Sequence, residues 1–325
     1  MNKKIIFILS IIFTIGLHAQ PEFSNIASKP GAFSRMGFGA RGIGMGNAMS
    51  AVTTGEINSY YNPALSSFQK GNSFHTSYSF LSLDRNLNFV NFTRNFGSIE
   101  EGRAVPGVTI GIINAGVDDI DARDSQGNQF DALSTSENQF FLGLSNRFSE
   151  KFAIGVAFKF YYYKLYEDVT ASSLGFDVGA LYLLNENITI SLMISDINSK
   201  YEWDTSDLYG ASGKSTTDKF PIMKKIGVSY KLNNPNIIAA IEFENSNAET
   251  NYIRFGAEYN IYENLYLRGG VDRIDIGNFD IPVKPALGFS YFHSLGFGVV
   301  GFNYAFAIEP YSSHDQHIVG LNINF

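Results

Sequence analysis

Gln316-His317-Ile318-Val319-Gly320-Leu321-Asn322-Ile323-Asn324-Phe325 closes the chain. His317, Val319, Leu321, Ile323 and Phe325 alternate in it with mostly polar or small residues. Period-two alternation puts one set of side chains on each face of a strand. A closing strand that ends on an aromatic, in a chain that opens with a secretory signal, is the layout expected of a bacterial outer-membrane β-barrel. Such a barrel is a gate, a receptor or a docking platform far more often than a catalyst.

The opening residues supply the other half of that layout. Met1-Asn2-Lys3-Lys4 is a positive n-region, Ile5–Leu17 an apolar run too short to span a bilayer, and Ala19-Gln20 the expected cleavage point of a signal peptide over 1–19. No other stretch approaches the ~18 continuous apolar residues of a spanning helix, so membrane crossing is expected to be by strands. Aromatics make up 15% of the chain and charged residues 17%, against roughly 25% charge in ordinary soluble domains. Aromatic girdles and small residues at strand bends call for that balance. The net charge of −7 argues against a nucleic-acid partner, which needs a basic face. With no cysteine there is no disulfide, no thiol chemistry and no lipoprotein acylation site.

From about residue 72 the alternation predicts fourteen strands, near 72–83, 86–96, 105–116, 136–148, 152–166, 173–184, 188–198, 219–232, 236–246, 250–261, 264–274, 281–293, 296–308 and 316–325. Tight turns at 149–151, 185–187, 233–235, 262–263 and 294–295 alternate with longer polar loops, notably Val117–Thr135 and Ser199–Asp218. Turns on one side and loops on the other fit a barrel with both termini in the periplasm; a soluble sandwich or propeller would not give that alternation. Ile154, Val156, Phe158, Phe160 and Tyr162 share one face, and Gly155, Ala157, Lys159 and Tyr161 the other. Leu174, Phe176 and Val178 likewise oppose Gly175, Asp177 and Gly179. A Lys or Arg on the lipid face at mid-depth costs about 2–4 kcal/mol, so the charges are assigned to the lumen. Glu258 and Arg268, five residues either side of the turn near Glu263, are expected to pair there, with Lys159 and Asp177 a looser pair.

Residues 20–71 do not read as strands. Gly37-Phe38-Gly39-Ala40-Arg41-Gly42 matches the GxGxxG spacing, but no strand precedes it and no βαβ unit follows, so it is rejected as a dinucleotide site. The run Arg41–Val52 reads as a short helix and turn that packs inside the barrel, with Gly42, Gly44 and Gly46 permitting close approach to the wall. Pro63 forces Asn62 away from helical geometry and is expected to end that helix. The domain expectation is a hatch over 20–71, with 37–67 plugging the periplasmic half of a barrel over 72–325. Arg254, Glu242 and Arg268 are expected to bond the hatch backbone.

The stretch GARGIGMGNAMSAV, followed by YYNPAL, resembles the N-terminal signature of the PorV/PorQ family of outer-membrane proteins from Bacteroidota, itself similar to the FadL long-chain fatty-acid transporters. The resemblance continues through LGFDVGALY (174–182), FPIMKKIGVSYKL (220–232), FGAEYNIYENLYLRGGV (255–271) and the closing FNYAFAIEPYSSHDQHIVGLNINF. It implies a fourteen-stranded FadL-like barrel plugged by an N-terminal helical hatch, whose Asn-Pro-Ala maps onto Asn62, Pro63 and Ala64. Many relatives carry paired Asp where this chain has Thr53-Thr54-Gly55-Glu56. PorV and PorQ serve the type IX secretion system, which implies partners among secretion proteins and their cargo.

No catalytic constellation emerges: there is no GxSxG, no HExxH and no His/Cys ligand set. His314 and His317 are spaced i, i+3, and Asp118–Asp124 is acidic but lacks the Gly and bidentate Glu of a calcium loop. No enzyme activity, metal or cofactor is expected. Two functions remain, beside a plainer third option, a structural barrel with no transport. The first is docking in type IX protein export to the surface, favoured by the resemblance and by the polar loops. The second is a FadL-like, hatch-gated passage for hydrophobic small molecules. Partners expected on either reading are outer-membrane lipid and the barrel-assembly machinery, the latter reading Phe325 as its signal.

Overall fold

The computed structural model describes residues 23–97, 104–166 and 169–325, so the signal peptide and its cleavage point lie outside the described residues. The first seven strands are β1 (Asn72–Phe80), β2 (Arg85–Asn95), β3 (Val105–Arg123), β4 (Gln129–Arg147), β5 (Phe152–Tyr166), β6 (Val169–Leu183) and β7 (Ile188–Ile197). A hairpin of β8 (Lys200–Asp204) and β9 (Ser215–Lys219) interrupts the series. It resumes with β10 (Met223–Asn233), β11 (Asn236–Ser246), β12 (Asn251–Tyr262), β13 (Leu265–Asp275), β14 (Lys284–Leu295), β15 (Gly298–Ala307) and β16 (Gln316–Asn324). β16 returns to pair with β1 from Ser73↔Asn324 to Phe80↔His317, closing an antiparallel barrel of fourteen strands among the described residues. Closure leaves no unpaired strand edge in the barrel.

The period-two pattern is carried out residue by residue. Phe158 and Leu174 on the outer face are 53% and 66% exposed, while Lys159 and Asp177, on the inner face of the same strands, are buried. At one end the strands join through short connections, such as 148–151, 234–235 and 263–264; at the other they join through 198–222, 276–283 and 308–315.

Three expectations are corrected. Val117–Thr135 is not a loop: β3 and β4 pair on through Val117↔Thr135 to Arg123↔Gln129, across an irregularity where Asp119 has φ 55°. β2 stops at Arg85↔Val117 and the β4–β5 ladder at Ser136↔Lys164, so the ribbon stands clear of its neighbours. With most of its side chains in solvent on both faces it has no continuous apolar side, and its sequence loses the alternation that marks a strand. Ser199–Asp218 contains β8, β9 and the one-turn helix Ser206–Tyr209. Finally, Pro63 does not end a helix but begins one, the 3-10 helix Pro63–Phe68. Asn62 is extended (φ −164°, ψ 120°), as a residue before proline must be, and its side chain caps the Ala64 amide at 3.0 Å.

Residues 31–69 fill the lumen, and most of them are buried. The segment starts at the long-connection end, where Phe23 stacks on Tyr311 at 5.0 Å and Tyr252 donates to the Ser24 hydroxyl. It descends through the short helix α1 (Ala40–Gly44), which packs on β14 and β15, to Pro63–Phe68, which packs on β3 to β6. The chain then enters β1 at the short-turn end, where Asn72 and Phe325 exchange backbone hydrogen bonds.

Candidate functional site

The plug is seated by backbone meeting backbone. A Cβ added at Gly256 or Gly270 on the inner wall would overlap the backbone of Met45 and Gly46, and Gly107 and Gly155 stand in the same relation to Ser66 and Ala64. The plug's own glycines divide their roles. Gly46 adopts φ 58°, and a Cβ there would meet the Phe255 carbonyl and the Val271 amide at 2.6 Å. Gly44 has ordinary clearance from Gly288, at 3.4 Å. Gly42 packs on the Tyr61 ring within the plug and not on the wall. Asn62 fastens the plug to two strands, its amide donating to the carbonyls of Ala180 at 3.3 Å and Leu192 at 3.4 Å. Pro63 and Ala64 lie against Gly155, and Pro63 also against Gly179.

Charge is concentrated on the inner wall in clusters. Glu258 and Arg268 are direct register partners on β12 and β13, and Arg268 Nε donates to Glu258 Oε2. Arg41 of the plug joins them, its Nε and Nη2 donating to the two Glu258 oxygens at 2.9 and 2.7 Å. Lys159 and Asp177 are diagonal neighbours, with Nζ 2.7 Å from Oδ2. Asp196 completes that cluster, 3.0 Å from Lys159 Nζ and accepting from the Tyr161 hydroxyl at 2.7 Å. The sequence pattern missed Asp196 because β7 bulges there: at φ 61° two successive residues, Ser195 and Asp196, both turn inward. Arg41 was missed because its partner lies 217 residues away.

Of the three wall residues expected to bond the plug backbone, Glu242 does so, accepting from the Ser50 amide at 3.2 Å. Arg268 is taken by Glu258, and Arg254 by Glu244 at 2.9 Å, Glu242 at 3.3 Å and Asp272. A buried guanidinium beside carboxylates satisfies them before it satisfies a carbonyl.

Between plug and long-connection end lies a cavity of about 330 Å³. Met36 of the plug, Met193 and Met223 of the wall and Ile281 of the 276–283 connection give it apolar surface, the Lys159 and Arg254 clusters face it from opposite sides, and Phe23 and Tyr311 roof it. Burial pushes the Arg35 guanidinium at its floor below its ordinary value, an effect that Asp196 opposes. Beside it runs a buried aromatic cluster, with Tyr161, Phe220 and Tyr201 in contact at 4.9 Å and Phe38, Phe89 and Phe141 stacked at 5.3 and 6.3 Å. On the outer face of β11 to β15, over the small residues Ala239, Ala257 and Gly269, is a separate hollow of about 550 Å³ whose lining is almost wholly apolar.

The other candidates stay apart. His317 is bonded to the Tyr304 hydroxyl and His314 to Ser313. Asp118–Asp124 lies along the exposed β3–β4 ribbon and its turn. Among the described residues no group of three or more His, Cys, Asp or Glu is placed to hold a metal. Phe325, the residue after the closing strand, is 56% exposed.

No family model matches the chain, and no curated protein does. Solved structures do match. The CymD monoaromatic hydrocarbon channel is 15% identical, with a TM-score of 0.62 over 89% of this chain and 98% of that one. The Pseudomonas putida toluene transporter TodX is 14% identical, with a TM-score of 0.58 over 88% and 96%. A Pseudomonas aeruginosa FadL homologue is 11% identical, with a TM-score of 0.53 over 87% and 97%. At such identities the likeness establishes the fold, a FadL-like closed barrel.

Proposed function

We propose that this chain is an outer-membrane barrel through which small hydrophobic molecules pass under the control of its hatch. The observation that carries the reading is the partly apolar cavity held between a glycine-seated plug and the long-connection end. The buried aromatic cluster beside it offers flat, apolar side chains to a flat, apolar solute. The hydrocarbon channels and toluene transporters of the same fold support this substrate class. The outer face meets lipid with its Phe, Leu and Ile side chains, and the assembly machinery reads the exposed ring of Phe325. The test is uptake of labelled toluene by cells with and without the chain in their outer membrane. Equal uptake overturns the reading.

PorV/PorQ membership, with a docking role in type IX secretion, is the second reading. The β3–β4 ribbon favours it, since polar strands standing clear of the barrel suit protein contact better than solute passage. Loss of surface delivery of secreted proteins on deletion, with toluene uptake unchanged, would select it.

A further inference from the structure

We propose that plug residues 53–58 form a lid that swings away from β1, with Glu56 and His75 as its latch, opening a polar seam along β16, β1 and β2. The inference rests on the hatch-gated reading and says which side of the hatch moves.

The plug is held unequally around the wall. On the β3 to β14 side its backbone lies on glycines, and side chains stitch it down: Ser229 donates to the Ala51 carbonyl at 2.7 Å, and Ser50 and Ser191 share a hydrogen bond at 2.7 Å. Interlocked backbones have no second arrangement within reach. On the other side Ala40 and Ile43 pack on Ala305 and Ile318 and Phe38 stacks on Phe89, and beside them runs a strip of polar side chains whose bonding is incomplete. Glu56 Oε1 lies 3.0 Å from His75 Nε2, without the alignment of a hydrogen bond. Glu56 Oε2, His75 Nδ1, Asn91 Oδ1 and Asn322 Nδ2 are buried with no hydrogen-bond partner among the described residues. Asn322 and Asn91 are the register neighbours of His75 on β16 and β2, so these groups form one continuous strip. Buried polar atoms left open like this mark where water enters once the contact loosens.

The segment is built to move. Thr53 and Thr54 are partly covered and Gly55 is exposed, at φ 77°, in a plug that is mostly buried. Ser59, bonded to Thr109 of β3 at 2.9 Å, marks where the fixed part resumes. Besides Glu56, the charged plug group at this segment is Arg41, which donates to the carbonyls of Thr54 and Glu56 while anchored on Glu258. Phe89 and the two asparagines face His75 from β2 and β16 and carry no charge. Loss of the Glu56–His75 contact leaves the tip of the lid, residues 53–56, on the two Arg41 bonds, with Ile57 packed in the plug core and Asn58 bonded to the Phe38 carbonyl at 3.2 Å serving as its hinge.

The chain has no native cysteine, which permits a direct test. Asn91→Cys and Ser229→Cys are placed singly in the full chain, reconstituted in phosphatidylcholine vesicles, and exposed to a water-soluble maleimide. The heat-unfolded protein gives the full labelling rate, and heat-modifiable migration reports folding. With Glu56→Gln or His75→Gln, labelling at Asn91→Cys is expected to rise by at least about tenfold while Ser229→Cys stays protected, as local opening demands. The double variant should exceed neither single variant by much, since both remove one contact. Should Glu56→Gln fail to fold, His75→Gln carries the test. Unchanged labelling at Asn91→Cys overturns the latch, and equal gains at both cysteines replace it with release of the whole plug. Absent toluene uptake with the labelling pattern intact would remove the transport reading and leave the lid standing.

Discussion

Arg41 of the plug and Glu258 of the wall meet through two hydrogen bonds, at 2.9 and 2.7 Å, across 217 residues of chain. Glu258 also holds Arg268, so one carboxylate balances two guanidiniums out of water. Glu258→Gln strands both cations, and removing one member of a buried pair typically costs about 3–5 kcal/mol. Arg41→Met leaves Glu258 its other partner and should cost about 1–3 kcal/mol. Urea unfolding of the detergent-folded barrel orders the two variants; equal losses would contradict the shared-carboxylate account.

Gly256 and Gly269 lie close on neighbouring strands and face opposite sides of the wall. A side chain at Gly256 runs into the Met45 backbone, whereas at Gly269 the nearest atom is a Leu287 methyl at 3.5 Å. Gly256→Leu is expected to destabilise by about 1–3 kcal/mol or more through overpacking and to expose the plug to trypsin. Gly269→Leu should match the parent protein in both measurements. Proteolysis followed by mass spectrometry of the plug fragments checks this, and an intact plug in Gly256→Leu would count against the seating.

Lys159 sits between two carboxylates, which predicts unequal substitutions. Lys159→Met leaves Asp177 and Asp196 buried side by side and should be the costliest change in the cluster, at about 3–5 kcal/mol. Double-mutant cycles with Asp177→Asn and with Asp196→Asn should each return a coupling of about 0.5–3 kcal/mol. A cycle near zero for Asp196 would show that the β7 bulge places it there for another reason.

Phe325 exchanges backbone hydrogen bonds with Asn72 and points its ring outward. Phe325→Ser should lower the amount of heat-modifiable protein in outer membranes while leaving the stability of refolded protein nearly unchanged. Undiminished membrane levels would rule out a part in assembly.

The strands were legible wherever one face meets an apolar medium and the other a polar lumen, as along Ile154–Tyr162, because the two faces then demand different residues. The β3–β4 ribbon escaped for want of that contrast, and Asp196 because a bulge breaks the count of two. The Glu258–Arg268 register follows from the tight turn between their strands, a local relation that spacing reports. Their third partner, Arg41, comes from another part of the chain, and no spacing encodes that distance.

The sequence by itself determined the number of strands, their two faces and the inward direction of Lys159, Asp177, Glu258 and Arg268, since all of these depend on neighbours in the chain and on the cost of charge in lipid. Only the tertiary structure decided where the plug rests, that Gly46 and not Gly42 meets the wall, and that Glu56 finds His75. Those contacts exist only after β16 has closed on β1 and enclosed a lumen, a relation set by the whole ladder and by no segment of it.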